Sequence, residues 1–123
     1  MTMQIHSLHD VPTVALGPGT GIQKHMLVGA GAVPHVLQFV RADFQPGQVA
    51  PAHAHADMTE LFYIEAGAGT LTVDGVSHPL QPGVSFWIEP GEMHEIASSA
   101  DTSLVVIYVS VHSQNNQAHE IRS

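Results

Sequence analysis

Short apolar runs, broken by glycine and proline about every ten residues, constrain the fold of this chain more than any other feature. Runs of this length are typical of strands, and no helical periodicity competes with them before the polar last stretch. Asp74-Gly75 stands between two such runs and gives the strongest hairpin signal in the chain. The pattern predicts an all-β sandwich or barrel. The predicted strands span residues 13–16, 22–28, 36–44, 60–66, 70–73, 76–80, 84–88 and 104–109.

The length of 123 residues suits one domain, which is large enough to bury a core without disulfides. No linker or internal repeat divides the chain. We therefore expect a single domain over residues 1–123, with a barrel core at about 13–111 and a polar tail at 112–123.

The chain is acidic, with three lysine or arginine residues against eleven aspartate or glutamate residues. A nucleic-acid-binding protein needs several cations on one face, and this chain cannot supply them. Its body has only Lys24 and Arg41 as permanent cations. We therefore expect no nucleic-acid partner, and a small-molecule ligand that is neutral or singly charged rather than a sugar phosphate.

Residues 1–10 contain no basic region followed by an apolar run, and no apolar stretch is long enough to cross a bilayer. We therefore expect a cytoplasmic protein without a membrane partner. The absence of cysteine excludes disulfides and thiolate metal ligands, so a metal ion could be bound only by imidazole and carboxylate groups.

Histidine and glutamate recur at a spacing that suits a metal site. His53 and His55 are two positions apart, and residues two apart on a strand point to the same face, about 7 Å from each other. Both imidazoles can therefore aim into a barrel and converge on one ion. Glu60 opens the next predicted strand and can face back, while His94 follows a Pro-Gly turn where a new strand should begin. Imidazole and carboxylate ligands suit first-row divalent metals.

The segment from Gly47 to Gly67 matches the first cupin motif at every defining position: a glycine, five residues, His-x-His, four residues, a glutamate, six residues and a glycine. A second segment resembles the second cupin motif, with Gly83, Gly91 and His94 in place. The chain therefore resembles a small single-domain bacterial-type cupin of the RmlC-like superfamily, with a cupin type-2 domain.

Two positions depart from the second motif, since Glu89 stands where a proline is expected and Ser98 where an asparagine is expected. The resemblance implies a double-stranded β-helix, or jelly-roll barrel. It also implies one divalent transition metal ion, which could be Fe, Mn, Ni, Co or Zn. The implied metal ligands are His53, His55, Glu60 and His94.

Side chains around this ion are expected to form a substrate pocket. Arg41 could hold a carboxylate of the ligand if the parity of its strand turns it inward. Glu60 could act as a base as well as a ligand. Apolar residues with the parity of barrel-lining positions are expected to form the wall of the pocket, and these are Phe62, Ile64, Phe86 and Ile96.

Three imidazoles and one carboxylate would leave about two positions of a six-coordinate ion open, which is typical of catalytic or ligand-binding sites. Cupins include dioxygenases, isomerases, lyases, decarboxylases and non-catalytic binders, so the fold alone does not choose among them. We interpret the chain as a metal-dependent enzyme, of an oxygenase or lyase/isomerase type, that acts on a small organic molecule chelating the metal. The alternatives are a non-catalytic ligand-binding or sensing module and a metal-stabilised structural barrel.

A homodimer is also expected. Small cupins commonly dimerise by sheet extension, and a small barrel with apolar strands at both ends, such as residues 22–28 and 104–109, has sheet edges to cover. Trp87 and Tyr63 have the opposite parity to the barrel-lining positions, so we expect them to pack between sheets or at a subunit interface.

Overall fold

The computed structural model describes residues 2–113, so the predicted polar tail lies outside the described residues except at His112 and Ser113. Within residues 2–113 the chain forms strands and one 3-10 turn at Leu8–Asp10, which confirms the all-β prediction. No helix in this part of the chain has both the length and the apolar character needed to cross a membrane. The strands are β1 Thr13–Ala15, β2 Gln23–Val28, β3 Val36–Phe44, β4 Val49–His53, β5 Met58–Gly67, β6 Gly69–Val73, β7 Val76–Leu80, β8 Ser85–Ile88, β9 His94–Ser98 and β10 Leu104–His112.

Two antiparallel sheets make up the barrel. The six-stranded sheet has the order β1-β2-β3-β10-β5-β8, and the four-stranded sheet has the order β4-β9-β6-β7. Neighbours in space are often distant in sequence, since β10 pairs with both β3 and β5. This is the jelly-roll barrel that the resemblance to cupins implied.

Side chains alternate along the strands between the barrel interior and the outer face, as the period of two requires. On β10, Leu104, Val106, Tyr108 and Ser110 are buried while the residues between them are partly exposed. The same alternation runs along β3 and β5. The inward apolar side chains form one core, whose buried members are Ile22, Val40, Ala42, Phe44, Ala50, Phe62, Ile64, Leu71, Leu80, Ile88, Ile96, Leu104, Val106 and Tyr108.

The hairpin predicted at Asp74-Gly75 is confirmed. It joins β6 to β7, with Val73 directly opposite Val76. Asp74 has a φ of 48° and Gly75 a φ of 86°, so both central residues take the left-handed conformation of a type I′ turn.

Of the ten strands within residues 2–113, two lie outside the eight predicted ranges: β9, which was expected only as a new strand beginning at His94, and β4. Strand β4 contains Pro51, which cannot donate to a ladder, and only Ala50 among its residues is buried. Strand β4 can include this proline because it lies at the edge of the four-stranded sheet and its pairing with β9 is irregular between Ala50 and His53. Proline is tolerated at such a place.

The expectation that residues 22–28 and 104–109 form sheet edges is wrong. Strand β2 lies between β1 and β3, and β10 lies between β3 and β5. The edges are instead β1 and β8 in one sheet and β4 and β7 in the other.

Gly67, the last residue of the first motif, is required by a close backbone contact. It has a φ of +90°, and a Cβ atom added there would lie 1.9 Å from the carbonyl oxygen of Ser103. The residue stands directly opposite Leu104, where β10 begins. The motif glycine therefore lets the end of β5 lie against the start of β10.

Candidate metal centre

Three histidines are brought together by the four-stranded sheet and the connection that leaves it. His53 is the last residue of β4, His94 is the first residue of β9, and the two are paired across the ladder. His55 lies beyond the end of β4, so it does not share a strand face with His53 as the sequence predicted. Its carbonyl oxygen accepts a hydrogen bond from the backbone N–H of Gly91, at 2.8 Å.

The imidazole rings surround one small volume. One nitrogen atom from each of His53, His55 and His94 lies within 4.8 Å of the other two. The ring centroids of His53 and His94 are 4.3 Å apart, and those of His53 and His55 are 4.7 Å apart. Three imidazoles this close would repel one another if all were protonated, whereas neutral imidazoles can share a cation.

Backbone carbonyls select the protonated nitrogen on two of these rings. Nδ1 of His53 donates to the carbonyl oxygen of Pro51 at 2.8 Å, and Nδ1 of His94 donates to the carbonyl oxygen of Glu92 at 3.0 Å. A carbonyl oxygen can only accept, so each Nδ1 carries the hydrogen and each neutral ring keeps a lone pair on Nε2. This is the arrangement that orients histidine ligands toward a metal.

Glu60 adds a carboxylate from the facing sheet. Its side chain on β5 is buried, and Oε1 lies 3.4 Å from Nε2 of His55 and 3.7 Å from Nε2 of His94. Its other oxygen, Oε2, accepts a hydrogen bond from the Ser110 hydroxyl at 2.7 Å. Burial raises the pKa of Glu60, but the neighbouring His94 imidazole, the hydrogen bond from Ser110 and the charge of His55 and His94 lower it by more, so the net shift is downward. Glu60 is therefore a carboxylate at neutral pH.

Two of the histidines have shifted pKa values. Burial lowers the pKa of His55, and the neighbouring imidazoles act in the same direction against the attraction of Glu60. For His94, burial acts downward, but the nearby Glu60 carboxylate and the hydrogen bond to the Glu92 carbonyl raise the pKa overall. Without a cation between the rings, His94 is the imidazole that Glu60 favours in its protonated form.

The donor set fits a first-row divalent metal ion. Three imidazoles and one carboxylate face the same small volume from two sheets, with two of the rings oriented by backbone carbonyls and the carboxylate ionised. These four residues could hold such an ion and leave coordination positions open toward the cavity.

A cavity of about 420 Å³ opens beside these groups. Two of the expected wall residues, Phe62 and Ile96, line it, together with His53, His55, Glu60 and His94. Much of the remaining lining is apolar and comes from both sheets and from the loop before β2. These further apolar residues are Leu16, Pro18, Phe44, Ala50, Pro51, Ala52 and Val106.

The structure places the other three expected pocket residues elsewhere. Ile64 is fully buried in the core, one inward position farther along β5 than Phe62. Phe86 stacks on Phe62 at a centroid distance of 4.7 Å and lines a second cavity. Arg41 points to the outer face, because it alternates with the buried residues of β3, and its Nε lies 3.5 Å from the carboxylate of Asp43.

Sequence reasoning missed four polar residues that contribute to the site: Lys24, Gln38, Tyr108 and Ser110. Gln38, Tyr108 and Ser110 share the parity of the buried residues of β3 and β10, and Lys24 pairs across the ladder with the buried Ala42, so all four occupy inward positions. The signal in the sequence that could have revealed them is a polar side chain at a position whose parity points into the barrel. Burial, together with the negative charge of Glu60, raises the pKa of Tyr108, so its hydroxyl stays neutral and can donate a hydrogen bond.

Comparison with known proteins agrees with this architecture. An oxalate-binding protein of Thermotoga maritima is 27% identical over 93 residues, which cover 76% of this chain and 77% of that protein. A crystal structure described as a predicted oxalate decarboxylase, also from Thermotoga maritima, superposes with a TM-score of 0.80 at 21% identity, covering 89% of this chain and 99% of the other. An RmlC-like cupin from Shewanella frigidimarina gives a TM-score of 0.72 at 23% identity, covering 89% and 92%.

A family model provides the assignment. The model described as "Cupin domain" matches residues 40–111, which include both motifs and all four candidate metal ligands. Because this match covers more than half of the sequence, the chain belongs to the cupin domain family, as its motifs indicated.

Proposed function

We propose that this cupin binds one divalent transition metal ion through His53, His55, His94 and Glu60 and uses it to act on a small organic molecule. The observation that carries the proposal is the convergence of these four side chains beside a cavity of about 420 Å³. A site that only stabilised the barrel would have no need of adjoining space, whereas a ligand site requires it.

Some residues of the chain would hold the ion, and others would surround and orient the ligand. When bound, the ion would supply Lewis acidity and a template for two chelating oxygens of the ligand. Phe62 and Ile96 would exclude water from the body of the ligand, and the neutral Tyr108 hydroxyl would donate a hydrogen bond to an oxygen developing negative charge. The reaction type that we favour remains an oxygenase or a lyase/isomerase.

The hydrogen bonding of Glu60 favours the role of a fixed ligand over that of a mobile base. One oxygen accepts from Ser110, and the other faces two imidazoles. A carboxylate that left this position would lose these contacts at once, so Glu60 would orient the ion rather than carry protons.

A second candidate is metal-dependent binding without turnover. It is favoured by the similarity to the Thermotoga maritima protein, which is named for binding oxalate. Oxalate offers two oxygens to a metal, so the same geometry serves both candidates.

Ligand binding by metal-loaded and metal-free protein tests the proposal. A panel of oxalate, hydroxy acids, catechols, diketones and sugar phosphates would be screened by thermal shift, and each positive compound would then be followed for consumption by NMR. We expect at least one chelating compound to raise the melting temperature only when metal is present. Consumption of a compound would support the proposal of an enzyme. Binding without consumption would support the second candidate. Equal shifts with and without metal would contradict both.

We also propose a homodimer formed through the outer face of the six-stranded sheet. Four apolar side chains lie there in one cross-strand row, since Phe39 is opposite Val109, Val109 is opposite Leu61, and Leu61 is opposite Trp87. Trp87 is 62% exposed and Leu61 is 44% exposed. An apolar row of this kind is typical of a subunit interface. The single-domain organisation and the cytoplasmic location stay predictions.

A further inference from the structure

Four polar side chains cross the interior of the six-stranded sheet in one hydrogen-bonded row. Lys24 on β2 donates to Oε1 of Gln38 on β3 at 3.0 Å, and Nε2 of Gln38 donates to the Ser110 hydroxyl on β10 at 3.2 Å. Ser110 donates in turn to Glu60 on β5 at 2.7 Å. Ser110 stands directly opposite both Gln38 and Glu60 in the strand register, so adjacent strands build the row.

The row has a single possible direction. The ionised carboxylate of Glu60 can only accept, so the Ser110 hydroxyl must donate to it and accept from the amide of Gln38. This orients the Gln38 carbonyl toward Lys24, whose ammonium donates to it. The fully buried Ser110 thereby connects the candidate metal ligand Glu60 to a cation on the same inner surface.

Lys24 is the cation that reaches the cavity. It lines the cavity together with His53, His55 and Glu60, whereas Arg41 lies on the outer face beside Asp43. Among residues 2–113, the ion pairs join other side chains, and the Lys24 ammonium donates its side-chain hydrogen bond to Gln38. The ammonium thus has further N–H groups to offer to a ligand. Partial burial lowers the pKa of Lys24, because it removes water from the ammonium group. The negative charge of a bound anion would raise this pKa again.

Charge balance indicates what kind of ligand the cavity would take. A divalent ion, one ionised glutamate and one ammonium give a net charge of about two positive units beside three neutral imidazoles. A buried charge needs a partner, so a dianion suits this cavity better than the neutral or singly charged molecule that the scarcity of cations in the sequence favoured.

We propose that Lys24 binds a second, anionic group of the ligand, so that the ligand class is a small dicarboxylic acid, such as a 2-hydroxy diacid, whose other end chelates the metal. This inference rests on the proposed function. It transfers to Lys24 the carboxylate-binding role that sequence parity left open for Arg41. It also widens the ligand beyond oxalate, whose two carboxylates chelate together and leave no separate anionic group for Lys24.

Matched pairs of hydroxy acids test the inference. Malate and 2-hydroxybutyrate have the same number of carbons and the same chelating end but differ in the distal carboxylate, and so do 2-hydroxyglutarate and 2-hydroxypentanoate. Isothermal titration calorimetry on the Zn²⁺-loaded protein would measure all four. For at least one pair, we expect the diacid to bind about tenfold more tightly or better, as a charge-assisted hydrogen bond at a partly buried site implies.

Substitution of Lys24 should remove that preference. In Lys24→Met the diacid and the monoacid should bind within about twofold of each other, while the affinity for the monoacid is kept. Arg41→Met removes one positive charge from the outer face and should retain the preference, which controls for net charge. Lys24→Gln serves as the second variant if Lys24→Met binds less Zn²⁺ than the native protein.

The outcomes separate the two proposals. Metal-dependent binding of the monoacids without any diacid advantage, or a diacid advantage that survives in both Lys24 variants, would overturn the role of Lys24 and leave the proposed function intact. If none of the four acids bound the Zn²⁺-loaded protein more tightly than the metal-free protein, the proposed function would fail for this ligand class, and the role of Lys24 with it.

Discussion

Two backbone carbonyls, those of Pro51 and Glu92, determine how the candidate ligands His53 and His94 present their rings. Each histidine donates its Nδ1 hydrogen to the carbonyl two residues before it. The local chain therefore prepares Nε2 as the ligand atom before any ion arrives, and part of the entropy of ordering the ring is lost on folding rather than on binding.

Replacing His53 or His94 with alanine should remove most bound metal and, with it, the stability that metal binding adds to the native state. We expect metal content after dialysis to fall by at least about tenfold in each variant. Metal analysis and thermal denaturation with and without EDTA would measure this. The exposed His78, replaced by alanine, is the matched control and should retain full occupancy. Full occupancy in both His53→Ala and His94→Ala would refute the ligand assignment.

The four candidate ligands could be found from the sequence because they stand at fixed spacings within two short motifs, each of which includes a turn. The polar row could not, since Lys24, Gln38 and Ser110 come from three strands whose register is set by long-range pairing. Parity alone places such residues inside the barrel, but it does not say which of them meet. For the same reason, the sequence did not show that Arg41 lies on the outer face or that Ile64 and Phe86 lie away from this cavity.

At the scale of elements, turns were easier to predict than edge strands. The Asp74-Gly75 hairpin is encoded by residues that tolerate positive φ, so local chemistry suffices. Strand β4 depends on its partner β9, because its own sequence contains Pro51 and little apolar surface. Tertiary pairing thus overrides local propensity in β4.

The contact between Gly67 and Ser103 gives a test of how tightly β5 and β10 meet. Gly67→Ala should destabilise the barrel by about 3 kcal/mol or more, because it combines left-handed strain with a backbone clash. Gly31 has the same φ of +90°, but a Cβ atom there would meet nothing within 4 Å. Gly31→Ala should therefore cost only about 1–2 kcal/mol. Urea denaturation of both variants measures the difference, and equal losses would show that the clash relaxes freely.

For the whole molecule, the six-stranded sheet has two contrasting faces. Its inner face carries the polar row that ends at Glu60, and its outer face carries the apolar row of Phe39, Val109, Leu61 and Trp87. The rows lie one residue apart along β3, β10 and β5, since Ser110 follows Val109 and Leu61 follows Glu60. A partner that covered the outer row would therefore also restrain the strands that position the inner row.

Light scattering at micromolar concentration should give about twice the 13.1 kDa mass of the monomer. Trp87→Asp should shift the protein toward the monomer, because it places a charge in the apolar row. Val76→Asp is the control, since Val76 is 58% exposed on the edge strand β7 of the other sheet. A native protein at the monomer mass would argue against the dimer, and dissociation by Val76→Asp would move the interface to the other sheet.

The candidate ligands come from both sheets, with His53 and His94 on the four-stranded sheet and Glu60 on the six-stranded sheet. In a chain without cysteine, a metal ion shared by them would be a crosslink between the two halves of the barrel. The two sheets could then separate between β9 and β5 only after the ion had dissociated. Metal dissociation would thus limit the rate of unfolding, and the lifetime of the folded protein would depend on the metal supply of its surroundings.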